Sequence, residues 1–229
     1  MIKLIIFDFD DTITDNSKLD LYSFLIPCKK LNLKEPTTTM ITSLRKKGYL
    51  AKDIVKKIIQ YKSQQFLYNE FIRIRNEYLE SKMSLSYMKL QNNTKFLLYT
   101  LQQKKIPCVL ASANKDKNKV LRFLQINNIK KYFSKTYFMD DLCFKIDNSN
   151  EENRFLIKKS LLHKIIKHRS INHNEIIYVG NSIEDIEAAN YFRLSFVYYQ
   201  NRYLKKLDKY DVIKTDNMKN LKKLIVRQS

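Results

Sequence analysis

Glycine and proline are almost missing from this chain, two and three among 229 residues, and tryptophan is absent. No Gly/Ser/Pro-rich seam marks a linker, so domain boundaries have to be sought in changes of hydrophobic period. No internal repeat or low-complexity segment is present, which excludes a solenoid or an array. Cysteine is scarce as well. Cys28, Cys108 and Cys143 are odd in number, far apart and without paired metal-ligand spacing. They exclude a disulfide scaffold and fit free thiols in a reducing, cytoplasmic setting. Apolar runs fall well short of the roughly 18 residues that a membrane span needs, so no membrane partner is expected. The opening stretch Met1–Phe7 meets Asp8 with no small-residue cleavage site behind it and reads as a buried strand, not as a secretory signal. What is left is a globular composition, 44% hydrophobic and 29% charged. A chain of this length buries about 70 to 75% of its unfolded surface and folds without staples.

Acidic residues are also in short supply, 23 against 43 basic ones, for a net charge of +20. Such a balance raises nucleic acid as a partner. The basic doublets, however, are scattered from Lys29-Lys30 to Lys222-Lys223 with no block that would mark a footprint. The abundance of Lys, Asn, Ile, Tyr and Phe is also what A+T-rich codons would give. A solvated lysine-rich surface therefore ranks ahead of a nucleic-acid site.

Short β-type runs occur at 2–7, 107–112, near 136–139, 175–180, 195–199 and near 211–213. From 107 onwards, helix-period stretches separate them, as at 117–125, 152–167, 185–191 and 219–226. Strands alternating with helices predict an α/β fold with a Rossmann-like parallel sheet covered on both faces, with ligands beyond the carboxyl ends of the strands. Residues 16–90 differ, because Ile54, Val55, Ile58 and Ile59, then Phe71, Ile72, Ile74, Tyr78 and Leu79 recur at helical spacing. They predict a helical insertion after the first strand, so that 1–15 and 91–229 form the core and 16–90 a lid. With 15 basic and 6 acidic residues the insertion carries +9, which suits an anionic substrate.

The strongest local signal is Asp8-Phe9-Asp10-Asp11-Thr12, directly after the first apolar strand. Three carboxylates in four positions repel one another, and a cation or a transferring phosphoryl group would relieve that cost. The bland alternative is an acidic strand exit with Asp11 or Thr12 capping a helix. Further along, Val109-Leu110-Ala111-Ser112-Ala113-Asn114 ends a second strand on Ser112, itself a candidate N-cap for the next helix. Val179-Gly180-Asn181-Ser182-Ile183-Glu184-Asp185 places one of the two glycines at a strand-to-loop turn. His163, His168 and His173 are five residues apart, share no helical face and form no metal set.

Strand followed by DFDDT resembles the first motif of the haloacid dehalogenase superfamily, the aspartate-nucleophile phosphatases and their relatives. Ser112 matches its second motif, Lys158 (with Lys159 as competitor) its third, and Gly180 to Asp185 its fourth, so the resemblance spans Asp8 to Asp185. A helical insertion between the first two motifs is similar to the cap of the subgroup holding phosphoglycolate phosphatases and β-phosphoglucomutase. The resemblance implies hydrolysis of a small phosphorylated metabolite, with Asp8, Asp10, Ser112 and Lys158 catalytic. Thr12, Ser112, Ala113, Asn114 and Lys158 would bind the phosphate, and Asp8, Asp10, Asn181 and Asp185 would serve a Mg2+ ion. In this family a carboxylate usually stands where this chain has Asn181, whose amide oxygen can ligate but brings no charge, so weaker magnesium affinity is expected. Metal-free dehalogenases of the superfamily lack an acid two residues after the nucleophile. Asp10 supplies one, which favours phosphoryl transfer. The competing readings are a catalytically weak relative that binds a polyanion or nucleic acid, a phosphomutase and an alkyl-halide hydrolase. A monomer and a homodimer are both compatible with the sequence.

Overall fold

The computed structural model describes residues 1–47, 49–59, 65–142, 151–167, 169–200 and 210–228. The chain divides into two compact units, Met1–Thr14 with Leu90–Asn201 and Tyr210–Ser229, and Asp15–Lys89 with Arg202–Lys209. Cys143 and His168 lie outside the described residues.

The first unit is built on six strands. They are β1 (Leu4–Asp8), β2 (Cys108–Ser112), β3 (Phe133–Phe138), β4 (Ile176–Gly180), β5 (Ser195–Tyr199) and β6 (Ile213–Thr215). They pair in the order β3-β2-β1-β4-β5-β6, every pair parallel. β1, β2 and β4 are buried along their whole length. Their sequences, LIIFD, CVLAS and IIYVG, accordingly run apolar without alternation, as strands covered on both faces do. Two edges differ from expectation. β3 already starts at Phe133, ahead of the apolar run near 136–139, because the exposed Ser134 and Lys135 hide its first half from the hydrophobic pattern. β6 runs over Ile213–Thr215, where only Thr215 is buried and the hydrophobic signal is weak.

Helices α1 (Thr94–Gln103), α2 (Lys117–Ile126), α3 (Glu151–Ile166), α4 (Ile183–Tyr191) and α5 (Met218–Gln228) alternate with these strands. α3 packs against α4 and α5 against α1. The chain order reverses across the β1/β4 pair, and a crevice beyond the carboxyl ends of two such strands is where open α/β sheets place their ligands. Among the described residues, no helix is long and apolar enough to cross a membrane.

The second unit is helical, with helices Ser17–Lys30, Thr38–Lys46, Ala51–Ile58, Gln65–Glu80 and Lys82–Ser86. Phe24, Cys28, Ile41, Ile54, Val55, Ile59 and Phe71 form its buried core. Arg45 lays its fork on Asp20, with Nη2 2.6 Å from Oδ1 and Nε 3.0 Å from Oδ2.

Candidate active site

β1 ends on Asp8, which is buried, and the chain then turns sharply. Asp11 takes a left-handed conformation, φ 56°, which Asp tolerates better than most residues. The Phe9 carbonyl accepts from the backbone N–H groups of Ile13 at 3.0 Å and Thr14 at 3.2 Å. No helix begins here, so neither Asp11 nor Thr12 is a helix cap; the next helix starts at Ser17 behind Asn16. Thr12 is fully buried, and its hydroxyl faces Asn181 Oδ1 at 3.3 Å.

β2 lies beside β1 with Ala111 opposite Asp8, so the buried Ser112 ends at the same sheet edge. The expectation that Ser112 caps the following helix is corrected. α2 begins only at Lys117, and its cap is Asp116, which accepts from the Lys119 N–H at 2.9 Å. The intervening loop folds on itself instead. The Asn114 N–H donates to Ser112 Oγ at 3.2 Å, and the Asn114 side-chain amide donates to Asp10 Oδ2 at 3.0 Å. Asn114 thereby holds the Asp10 carboxyl, a contact that its sequence position does not announce.

Lys158 reaches this edge from α3. Its ammonium donates to Asp8 Oδ1 and lies 2.9 Å from Asp185 Oδ1. Lys159 points elsewhere, with Nζ 3.7 Å from the ring centroid of Tyr191. Asp185 is fully buried and saturated with donors. One oxygen takes Lys158 and the Tyr178 hydroxyl. The other takes the Asn181 and Ser182 N–H groups at 3.2 and 3.1 Å and the Ser182 hydroxyl at 2.8 Å. In return Ser182 Oγ accepts from the Asp185 N–H, a reciprocal capping box that starts α4. Gly180 leaves the room that Asp185 needs, because a Cβ would stand 2.6 Å from Asp185 Cγ. With both oxygens engaged, Asp185 organises the loop and Lys158.

The electrostatics follow from the count of charges. One ammonium stands between two buried carboxylates, and Asp10 lies close by. Burial pushes the Asp8 carboxyl up, Lys158 opposes it, and the negative charges of Asp185 and Asp10 leave it at about 8. Burial opposes Asp185 too, but Lys158 and the hydrogen bonds from Tyr178, Lys158 and Ser182 hold its carboxyl below the usual range. Lys158 stays charged: burial works against it, and the two carboxylates more than restore it. Between Asp8 and Asp185, two carboxylates thus share the one ammonium of Lys158. Among the described residues no three His, Cys, Asp or Glu side chains group as a metal set, so any cation would rest on mixed oxygen donors. The Asp8 carboxylate, the Asp10 main-chain carbonyl and the Asn181 amide oxygen are hard donors of the kind that suits Mg2+.

Three residues escaped the sequence reading. Tyr178 is signalled only by its place two residues before Gly180, on the same face of β4. Lys119 lies near Asp10 and Asp116, with burial lowering its pKa. Arg154, one helical turn before Lys158, has Nη2 3.1 Å from Oε1 of the buried Glu184. His163 stacks on Phe192 and His173 is exposed, so neither enters the site.

The sequence profile of haloacid dehalogenase-like hydrolases matches residues 5–198. The chain belongs to the haloacid dehalogenase-like hydrolase family. No curated protein matches it. Among solved structures, this hydrolase is similar to a predicted phosphoglycolate phosphatase from Haemophilus somnus 129pt, with a TM-score of 0.68 and 20% identity over 98% of each chain. It is similar to a predicted phosphatase from Clostridium acetobutylicum, with a TM-score of 0.70 and 14% identity over 99% of each chain. It is also similar to a haloacid dehalogenase-like family protein from Streptococcus pneumoniae, with a TM-score of 0.70 and 18% identity over 97% of this chain and 98% of that one. At these identities the likeness is one of fold.

Proposed function

We propose that this hydrolase is a phosphatase that acts on a small phosphorylated metabolite through a phosphorylated Asp8, with Mg2+ as cofactor. The observation that carries the reading is the convergence at one sheet edge of Asp8, Asp10, Ser112 and a buried lysine shared between Asp8 and Asp185. In the first step an Asp8 oxygen attacks phosphorus and the ester P–O bond breaks. Asp10, held by Asn114, gives its proton to the leaving oxygen, which departs as an alcohol. In the second step water attacks phosphorus and loses a proton to Asp10, which releases inorganic phosphate and the Asp8 carboxylate. Ser112 Oγ hydrogen-bonds a phosphoryl oxygen, and Lys158 offsets charge that builds up on the transferring group. Asp8, the Asp10 carbonyl and Asn181 would hold Mg2+, which supplies Lewis-acid stabilisation of the phosphoryl oxygens.

The test is phosphate release from an aryl phosphate and a panel of small phosphate esters, with and without Mg2+, beside Asp8→Asn. Magnesium-dependent release that Asp8→Asn abolishes is expected. No release at millimolar Mg2+ from any ester overturns the reading, and release of halide without metal replaces it with dehalogenation.

A further inference from the structure

The helical unit holds a second cluster of charge that has no part in the proposed chemistry. Both oxygens of Asp20 are taken by the Arg45 fork, and that ion pair is largely buried, with 20% and 15% of the two side chains exposed. A second guanidinium, Arg75 on helix Gln65–Glu80, shares the same surroundings. Its Cζ lies 5.0 Å from the centroid of the Phe24 ring, and the Arg45 Cζ lies 5.6 Å from that same ring. Arg75 Nε is buried and has no hydrogen-bond partner among the described residues. Burial pulls the Arg75 guanidinium down to about 10, and the repulsion of Arg45 works in the same direction against the pull of Asp20. At neutral pH it is nonetheless charged.

Among the described residues two guanidiniums share one carboxylate, and the half-buried Arg75 keeps a buried Nε–H without an acceptor, which is costly. A methionine in this place would pack on Phe24 without that cost. Arginine brings a planar fork of donors that matches a carboxylate or a phosphate, and the ring beneath it fixes the plane of the fork in advance.

We propose that Arg75 is the centre of an anion-binding site within the helical unit, which takes the carboxylate or phosphate group of a small molecule, with Arg45 adding its charge and Asp20 holding Arg45 in place. The site stands whether or not the α/β unit hydrolyses phosphate esters.

The experiment follows the guanidinium Nε–H resonances of the full-length chain, with Arg75 assigned from its loss in Arg75→Lys. One arm adds sodium phosphate, a second sodium acetate, and a third sodium chloride at matched ionic strength. The Arg75 resonance is expected to move saturably with phosphate, acetate or both, not with chloride, and equally in a Ser112→Ala chain, which separates this site from the α/β unit. Movement with phosphate alone identifies the group as a phosphate, and movement with acetate alone as a carboxylate. No movement in either arm, or movement that chloride reproduces, overturns the proposal. Thermal unfolding supplies a second readout. In chloride, Arg75→Met is expected to melt a few degrees above the wild type, because a buried donor without an acceptor has gone, and the gap is expected to close as the active anion is added. An Arg75→Met chain that melts below the wild type in chloride would mean that Arg75 already has a structural partner, and this too overturns the proposal.

Discussion

Replacing Asp185 by Asn removes one charge and changes almost nothing in shape, so it isolates what that carboxylate does. The wild-type side chain accepts from five donors, namely Lys158, Tyr178, the N–H groups of Asn181 and Ser182, and the Ser182 hydroxyl. An amide has only one oxygen. If its NH2 faces Lys158 and Tyr178, two donors meet a donor; if it faces the loop, three do. In either orientation Lys158 keeps a single counter-charge. Breaking a buried, hydrogen-bonded pair costs about 3–5 kcal/mol, a large part of the roughly 5–15 kcal/mol that holds a domain together. With a urea slope of about 2–3 kcal/mol per molar, the unfolding midpoint should fall by about 1–2.5 M. Because the chain has two units, the assay is hydrogen exchange of the β4 amides across a urea series, which reads the α/β unit by itself. Tyr178→Phe is the graded comparison: it withdraws one donor from a charged acceptor and should cost about 1.5–3 kcal/mol. An Asp185→Asn midpoint equal to that of the wild type, or a Tyr178→Phe loss larger than that of Asp185→Asn, would refute the reasoning.

Gly180→Ala brings a Cβ to 2.6 Å from Asp185 Cγ. It should destabilise the α/β unit by about 1–3 kcal/mol, as overpacking does, and the same exchange assay reads it; an unchanged midpoint would mean that the loop relaxes freely. Asn181→Asp adds the charge that the amide withholds, so the Mg2+ concentration for half-maximal phosphate release should fall on the order of tenfold, about 1.4 kcal/mol. A requirement that is unchanged or raised argues against Asn181 as a ligand. Burial pushes the Cys108 thiol up to about 12, and burial together with Glu35 pushes Cys28 up to about 11. Both should therefore resist alkylation at pH 8 in the folded chain and react on unfolding, and prompt labelling of either in a peptide map would contradict their burial.

The parallel sheet was legible because its central strands are short, continuous apolar runs, and such runs followed by Asp8, Ser112 and Gly180 leave few other topologies. The edges were less so: β3 carries Ser134 and Lys135 outward, and β6 buries only Thr215. Within the site, most of the residues could be named from the sequence, whereas the contacts they make across it could not. Tyr178 reads as one more apolar strand residue until its hydroxyl is seen on Asp185. Asn114 reads as part of a phosphate loop until its amide is seen on Asp10. Lys158 and Lys159 differ only by the 100° of helix rotation that separates neighbouring residues, which sends one to Asp8 and the other to Tyr191. Arg75 carried no signal in a chain so rich in basic residues. Its significance comes from Asp20 being already taken.

The proposed chemistry requires that Asp8 become phosphorylated. The most direct measurement is peptide mapping by mass spectrometry after acid quench of the chain mixed with Mg2+ and an aryl phosphate within a single turnover. A phosphoryl group is expected on the peptide that contains Asp8, formed and lost on the timescale of phosphate release and absent from Asp8→Asn. Phosphate released at the full rate by Asp8→Asn, with no phosphorylated peptide in the wild type, would contradict it.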